Sequence, residues 1–339
     1  MSAGCGLLRA AAEDRAMPWN SEDLLKISRG FMESRIFLSG AELDLYTVLS
    51  ERTLTAAEVA ARIAGEQAAV EILLDALAAM GLLRKEESAY STDPDAARYL
   101  SHNSPDTVLP MVLHAAHLWD RWSGLTSMVG TPPAQDTVEA WTAAFIGAMH
   151  VVGAPRAARI VDLVNSAGAK RLLDVGGASG TYTIAFLNTA PDMAATLFDR
   201  PPVIELARKR LADAGLLHRV RLVPGDYYHD QLPSGHDLAF VSAIIHQNTV
   251  EENKDLYRNV FAALDSGGRI IIRDHVMNSE RTQPRPGAIF SVNMLAGRTG
   301  GRSYTYQEIH DGLHAAGFTR IHLLHPDSVM DGLVEAHKP

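Results

Sequence analysis

The sequence predicts an α/β protein in which a mainly parallel sheet, covered on both faces, follows a smaller helical unit of winged-helix layout. Three observations carry this. From Ala169 onward, strand-length apolar runs alternate with helical segments, the pattern of a sheet wound with crossover helices. Between Thr55 and Thr92 the order is helix, turn, helix, hairpin. The chain has 339 residues and 47% apolar content, enough for about two packed cores.

Taken in order, Met1 to Asn20 has no periodicity and reads as a loose tail. Ser21 to Ser50 has apolar residues at helical spacing on two segments, broken at Ser39-Gly40. Val70, Leu73, Leu74, Leu77 and Met80 make one helical stripe that Gly81 stops, and Leu82 to Thr92 reads as a small hairpin. Helical stretches 111–129 and 138–164, separated by the Pro132-Pro133 loop, connect the two halves and roof a pocket. Strands are expected at Arg171–Gly176, Ala195–Asp199, Val220–Val223, Asp237–Ile245, Arg269–Asp274, Phe318–Leu324 and Leu333–Ala336. Thr249 and Glu252 form a capping-box pattern for the helix that "DSGG" ends. The expected organisation is a tail (1–20), a winged-helix unit (21–105), connecting helices (106–165) and the sheet domain (166–339).

The formal charge of −9, from 31 basic and 40 acidic residues, argues against a non-specific grip on nucleic acid or an anionic membrane. Residues 51–100 hold nine acidic and five basic side chains, the wrong sign for a DNA-reading winged helix. The single cysteine, Cys5, cannot form an internal disulfide, and the expected compartment is the cytoplasm. No hydrophobic segment precedes "SAGC", as a secretory signal requires, and no run of about 18 apolar residues spans a bilayer.

Two stretches carry chemistry. "LLDVGGASGTYTIAFL" places Asp174 at a strand end and Gly176, Gly177 and Gly180 in the turn into a helix. No frame supplies G-x-G-x-x-G, so the loop lacks the spacing of a dinucleotide site. "SAIIHQN" reads as a buried strand that stops on His246, at the rim where ligands sit in open α/β folds.

The loop resembles the D-x-G-x-G-x-G signature of class I methyltransferases, with Ala178 in the middle glycine's place. Asp199, about twenty residues on, suits both ribose hydroxyls, and Asp226 in "GDYY" suits an adenine amino group with Tyr227 flanking the base. The alternative is that these carboxylates cap the following helices. Together with "FDRPPVIELAR", "IIHQN" and "GGRSYTYQEI", these motifs make 21–339 similar to the dimeric small-molecule O-methyltransferases of plant phenolic and bacterial polyketide or phenazine type. The resemblance implies a Rossmann-like class I methyltransferase sheet behind a winged-helix dimerisation domain. It also implies a homodimer, S-adenosyl-L-methionine as donor, S-adenosyl-L-homocysteine as product and no metal. On that resemblance His246 is the general base and Asp274 in "IIIRDHV" orients it. Gln247 and Asn248 replace the family's Asp-Trp, Ser303 replaces a second acidic residue, and Ser242 takes a basic residue's place on the cofactor side.

A phenol, with a pKa of about 10, is mostly protonated at neutral pH, so a nearby neutral imidazole can take its proton as methyl transfer proceeds. The expected acceptor is an aromatic or polyketide-like hydroxyl. Candidate walls are Trp119, Trp122, Phe145, Met149 and His150 from the connecting helices, with Phe290, Asn293 and Met294 before "GGRS". His310 and His314, four apart, lack a third ligand for zinc, and His114 and His117 are similarly unaccompanied. Transfer to nitrogen or carbon, a non-methylating hydroxylase or decarboxylase, and a donor-sensing regulator are the alternatives.

Overall fold

The computed structural model describes residues 19–131, 137–297 and 300–339, with the side chains of Val138 and Glu139 left aside. Cys5, most of the tail and the Pro132-Pro133 loop lie outside the described residues.

The first unit contains α1 (Ser21–Glu42), α2 (Leu45–Glu51), β1 (Leu54–Thr55), α3 (Ala56–Ile63), α4 (Gln67–Ala79), β2 (Leu83–Glu86), β3 (Ala89–Thr92) and α5 (Pro94–Leu100). The hairpin forms as expected and β1 pairs with it, a strand too short to stand out in the sequence. The expected break at Ser39-Gly40 is wrong. α1 runs through both residues and ends before Asp44, whose φ of 54° turns the chain. Gly40 serves packing instead, because a Cβ there would lie 2.7 Å from the Tyr46 Oη. Tyr46, Leu49, Val59, Leu74, Leu77 and Tyr90 form this unit's core.

Three connecting helices follow: α6 (Leu109–Ser123), α7 (Leu125–Val129) and α8 (Val138–Val164). Gly124 divides the first two.

The second unit comprises β4 (Arg171–Val175), α9 (Thr181–Thr189), β5 (Ala194–Asp199), α10 (Pro201–Asp213), β6 (Val220–Pro224), β7 (His236–Ser242), α11 (Val250–Ala263), β8 (Leu264–Asp274), β9 (Val276–Met277), α12 (Arg285–Gly297), β10 (Tyr304–Thr305), α13 (Tyr306–Ala315), β11 (Thr319–His325) and β12 (Gly332–His337). Its seven-stranded sheet has the order β11-β12-β8-β7-β4-β5-β6, and β12 alone runs against the rest. Winding proceeds outward from β4 in both directions, so a crevice opens where β4 and β7 part at their C-terminal ends. Both faces are packed: one by Val241, Ile272, Leu256 and Ile309, the other by Phe240, Ile271, Phe186 and Val161.

A second correction concerns "SAIIHQN". β7 ends at Ser242, Ala243 takes a φ of 56°, and His246 rides on a 3-10 turn, Ile245–Gln247. The histidine is therefore presented by a turn beyond the sheet rather than by the strand itself. The Thr249–Glu252 capping box then starts α11.

Candidate active site

Because β4 to β8 run parallel, their C-terminal ends deliver Asp174, Asp199, Ser242 and Asp274 to one rim. The glycine loop is pinned from both sides. A Cβ on Gly176 would lie 2.4 Å from Ile244 Cδ1, and one on Gly177 2.7 Å from Leu197 Cγ. Gly180, with a φ of 76°, opens α9.

Asp199 is stitched to this loop: the amide of Ala178 donates to one carboxylate oxygen at 2.8 Å and that of Arg200 to the other at 2.7 Å. Burial pushes the Asp199 carboxyl above its ordinary range against the pull of these amides. Each oxygen retains a lone pair for a further donor. Asp174 sits underneath: it is 2% exposed and accepts from the Thr183 hydroxyl at 2.5 Å. Burial, opposed by Thr183 and reinforced by Asp199, pushes its carboxyl up to about 7. It braces the loop against α9. Asp226 accepts from the Tyr228 amide at 3.0 Å and so holds its own turn, and the Tyr227 hydroxyl accepts from Gln247 Nε2 at 2.9 Å.

His246 is buried, and its Nδ1 lies 2.8 and 3.0 Å from the two oxygens of Asp274. Burial alone raises the Asp274 carboxyl, but His246 and His275 together hold it below its ordinary value. An ionised Asp274 makes Nδ1 the protonated nitrogen and leaves Nε2 with a lone pair. Phe290 meets the imidazole edge-on, ring centroids 4.8 Å apart.

The expected walls separate. Phe290, Asn293 and Met294 are half-buried along α12. His150 Nδ1 lies 2.8 Å from Thr181 Oγ1, on the glycine-loop side. Trp119 is half-buried under the Arg35 guanidinium, 5.5 Å from its ring centroid. Phe145 stacks on Trp141 and, like Met149, stands exposed, while Trp122 is 68% exposed and closes no wall within this chain. His310 and His314 stack on α13, and no group of three metal-ligating side chains exists among the described residues.

Three features escaped sequence reasoning. Asn248 is fully buried: it accepts from the Tyr228 hydroxyl at 2.6 Å and donates to Asn253 at 3.0 Å, and its carbonyl accepts from Tyr304. His275, whose amide donates to Asp274, has its Nδ1 2.6 Å from Asp327 in the β11–β12 loop. Arg273 is buried beside Ser242. The first and third occupy places where sequence alone shows only an amide and a strand residue. The His275 partner lies too far along the chain to leave a local pattern.

Comparison with known proteins adds matches to two family models, two relatives and one solved structure. Residues 116–319 match the model of the O-methyltransferase domain, and residues 25–102 that of the O-methyltransferase dimerisation domain. The chain is 29% identical to a 3-hydroxy-5-methyl-1-naphthoate 3-O-methyltransferase of Streptomyces sahachiroi, over 88% of this chain and 89% of the relative. It is 28% identical to the tetracenomycin polyketide synthesis 8-O-methyl transferase of Streptomyces glaucescens, over 88% and 91%. A crystal structure of an O-methyltransferase family 2 protein from Planctomyces limnophilus, in complex with apigenin, superposes with a TM-score of 0.80 at 25% identity, covering 95% of this chain and 97% of the other.

Proposed function

This chain belongs to the O-methyltransferase family and is an S-adenosylmethionine-dependent O-methyltransferase, and from that premise we propose that it methylates a phenolic hydroxyl of an aromatic or polyketide-like metabolite with His246 as general base. The observation that carries the reading is the buried His246–Asp274 pair on the rim that also bears the glycine loop. The names of the two Streptomyces relatives, one acting on a hydroxynaphthoate and one in polyketide synthesis, support an aromatic or polyketide-like acceptor.

The residues fit the donor. A loop too tight for a Cβ at Gly176 leaves backbone to face the ligand, and the Asp199 oxygens suit two ribose hydroxyls. Asp226, with Tyr227 beside it, is the proposed acceptor for the adenine amino group, and Asp174 braces the loop through Thr183. Ser242 closes the cofactor side. Bound S-adenosylmethionine supplies a methyl carbon open to in-line attack. His246 Nε2 receives the phenolic proton as the oxygen attacks, and Asp274 fixes the tautomer and steadies the imidazolium. Phe290, Asn293 and Met294 hold the acceptor's rings from α12, with Phe145, Met149 and Trp119 completing the pocket when a second subunit covers them. The homodimer forms through α1, where Leu24, Ile27 and Phe31 stand exposed at helical spacing.

The test is turnover with S-adenosylmethionine and a panel of hydroxynaphthoates, hydroxyanthraquinones and flavones. The expected result is S-adenosylhomocysteine formed one-for-one with an O-methylated product from at least one member. Nitrogen or carbon methylation as the sole outcome would overturn the acceptor assignment.

A further inference from the structure

Arg273 is the penultimate residue of β8, one before Asp274, and strand pleating sends the two side chains to opposite faces. Asp274 faces His246, whereas Arg273 lies under Tyr182 of α9, its guanidinium carbon 5.1 Å from the ring centroid. Arg273 is 4% exposed, yet among the described residues its side chain makes a single hydrogen bond, from Nη1 to the Ser242 hydroxyl at 3.1 Å. Among the described residues its Nε is buried without a hydrogen-bond partner, as is the Tyr182 hydroxyl, and no carboxylate pairs with it. The buried carboxylates of Asp174 and Asp331 both act on Tyr182, but Asp331 pairs with Arg159 and His325 and Asp174 accepts from Thr183, and among the described residues neither makes an ion pair with Arg273.

A guanidinium cannot shed its charge. Buried without a counter-ion it is among the most costly arrangements a fold can keep, and so it marks a place that an anion completes. The location says which kind of ligand brings that anion. Ser242 pairs with Arg273 across β7 and β8, and Val241 pairs with Val175 across β7 and β4. Ser242 therefore stands about one strand spacing, roughly 4.8 Å, from the first loop residue, Gly176. Tyr182 belongs to the first turn after that loop.

We propose that Arg273, with the Ser242 and Tyr182 hydroxyls, seats a carboxylate of a small molecule bound at this rim. The proposal rests on the methyl-transfer reading of the rim and names a group that its ligands must carry. Two carriers have the chemistry: the methionyl tail of the donor, and a ring carboxylate on an acidic acceptor. The planar fork of arginine matches either in two-pronged fashion.

Calorimetry and steady-state kinetics on the full-length protein separate the cases, using wild type, Arg273→Gln and Arg273→Lys. If the seat takes the donor, Arg273→Gln weakens S-adenosylhomocysteine about 30-fold or more, leaves 5′-methylthioadenosine, which has no carboxylate, within about twofold, and Arg273→Lys falls between. If it takes the acceptor, donor affinity holds, while KM for a hydroxynaphthoate rises about 30-fold or more and KM for the matching carboxylate-free naphthol does not. Equal losses for ligands with and without a carboxylate, or no loss for any, would mean that the buried atoms merely share a trapped water, and the proposal falls. Should Arg273→Gln fail to fold, wild type and Arg273→Lys decide: S-adenosylhomocysteine and its methyl ester binding equally to wild type, together with an unchanged hydroxynaphthoate KM in Arg273→Lys, overturns the proposal. Wild type that binds no S-adenosylhomocysteine contradicts the donor site itself, a separate failure.

Discussion

Two residues, Asp174 near the end of β4 and Ala178 in the loop, lie at odds with their own chemistry. Asp174 is a carboxyl whose burial favours the neutral form, pushed up to about 7 from an ordinary 3.8. The unfolded chain ionises it first, so the folded state loses stability as pH rises from about 4 to about 7, by about 4 kcal/mol in all, and carries the full penalty above. Asp174→Asn is therefore expected to raise the melting midpoint of the ligand-free protein more at about pH 8 than at about pH 5. An equal shift at both would contradict that origin. Ala178 holds a φ of 49° where its methyl group is unwelcome. Relieving it with Ala178→Gly is expected to stabilise by about 0.5–1 kcal/mol in urea titrations, the strain of left-handed backbone less the extra freedom of an unfolded glycine.

At the scale of elements, what matters is the short turn that carries His246. It is held from behind by Asn248, which links Tyr228, Asn253 and Tyr304. Asn248→Ala removes two buried side-chain hydrogen bonds, with an expected cost of about 2–3 kcal/mol by denaturant midpoint and a fall in kcat larger than any change in donor affinity. An unchanged kcat would show that the turn does not depend on this anchor. The strands and capping box were legible because apolar runs and Thr249–Glu252 report local physics. The turn was not, since nothing in "SAII" announces that Ala243 takes a positive φ. Gly40 misled for the opposite reason: its small size answers to Tyr46, a neighbour in space. The meeting of Asp174, Asp199, Ser242 and Asp274 at one rim was legible from their places at strand ends, but Arg273 in "IIIRDHV" gave no hint of lacking a counter-charge.

Across the whole molecule, α12 ties the two units together. Ile289 and Val292 pack on the first unit's core, while Phe290 from the same helix touches His246. Beside it, Lys85 pairs with Asp75 at 2.6 Å and donates to the Glu280 carbonyl at 3.0 Å, a buried link between the hairpin and the chain entering α12. Burial pushes the Asp75 carboxyl up against the pull of Lys85 and Tyr90. Lys85→Met strands that carboxyl and is expected to cost about 3 kcal/mol, read as a lower urea midpoint. A change under about 0.5 kcal/mol would mean the link is idle. The central claim, that a turn beyond the sheet holds an imidazole as base for methyl transfer to oxygen, is tested most directly by His246→Ala. Turnover of a phenolic acceptor is expected to fall about 10²- to 10⁴-fold while calorimetry returns wild-type affinity for S-adenosylhomocysteine. Full turnover in that variant, with the same affinity, would contradict it.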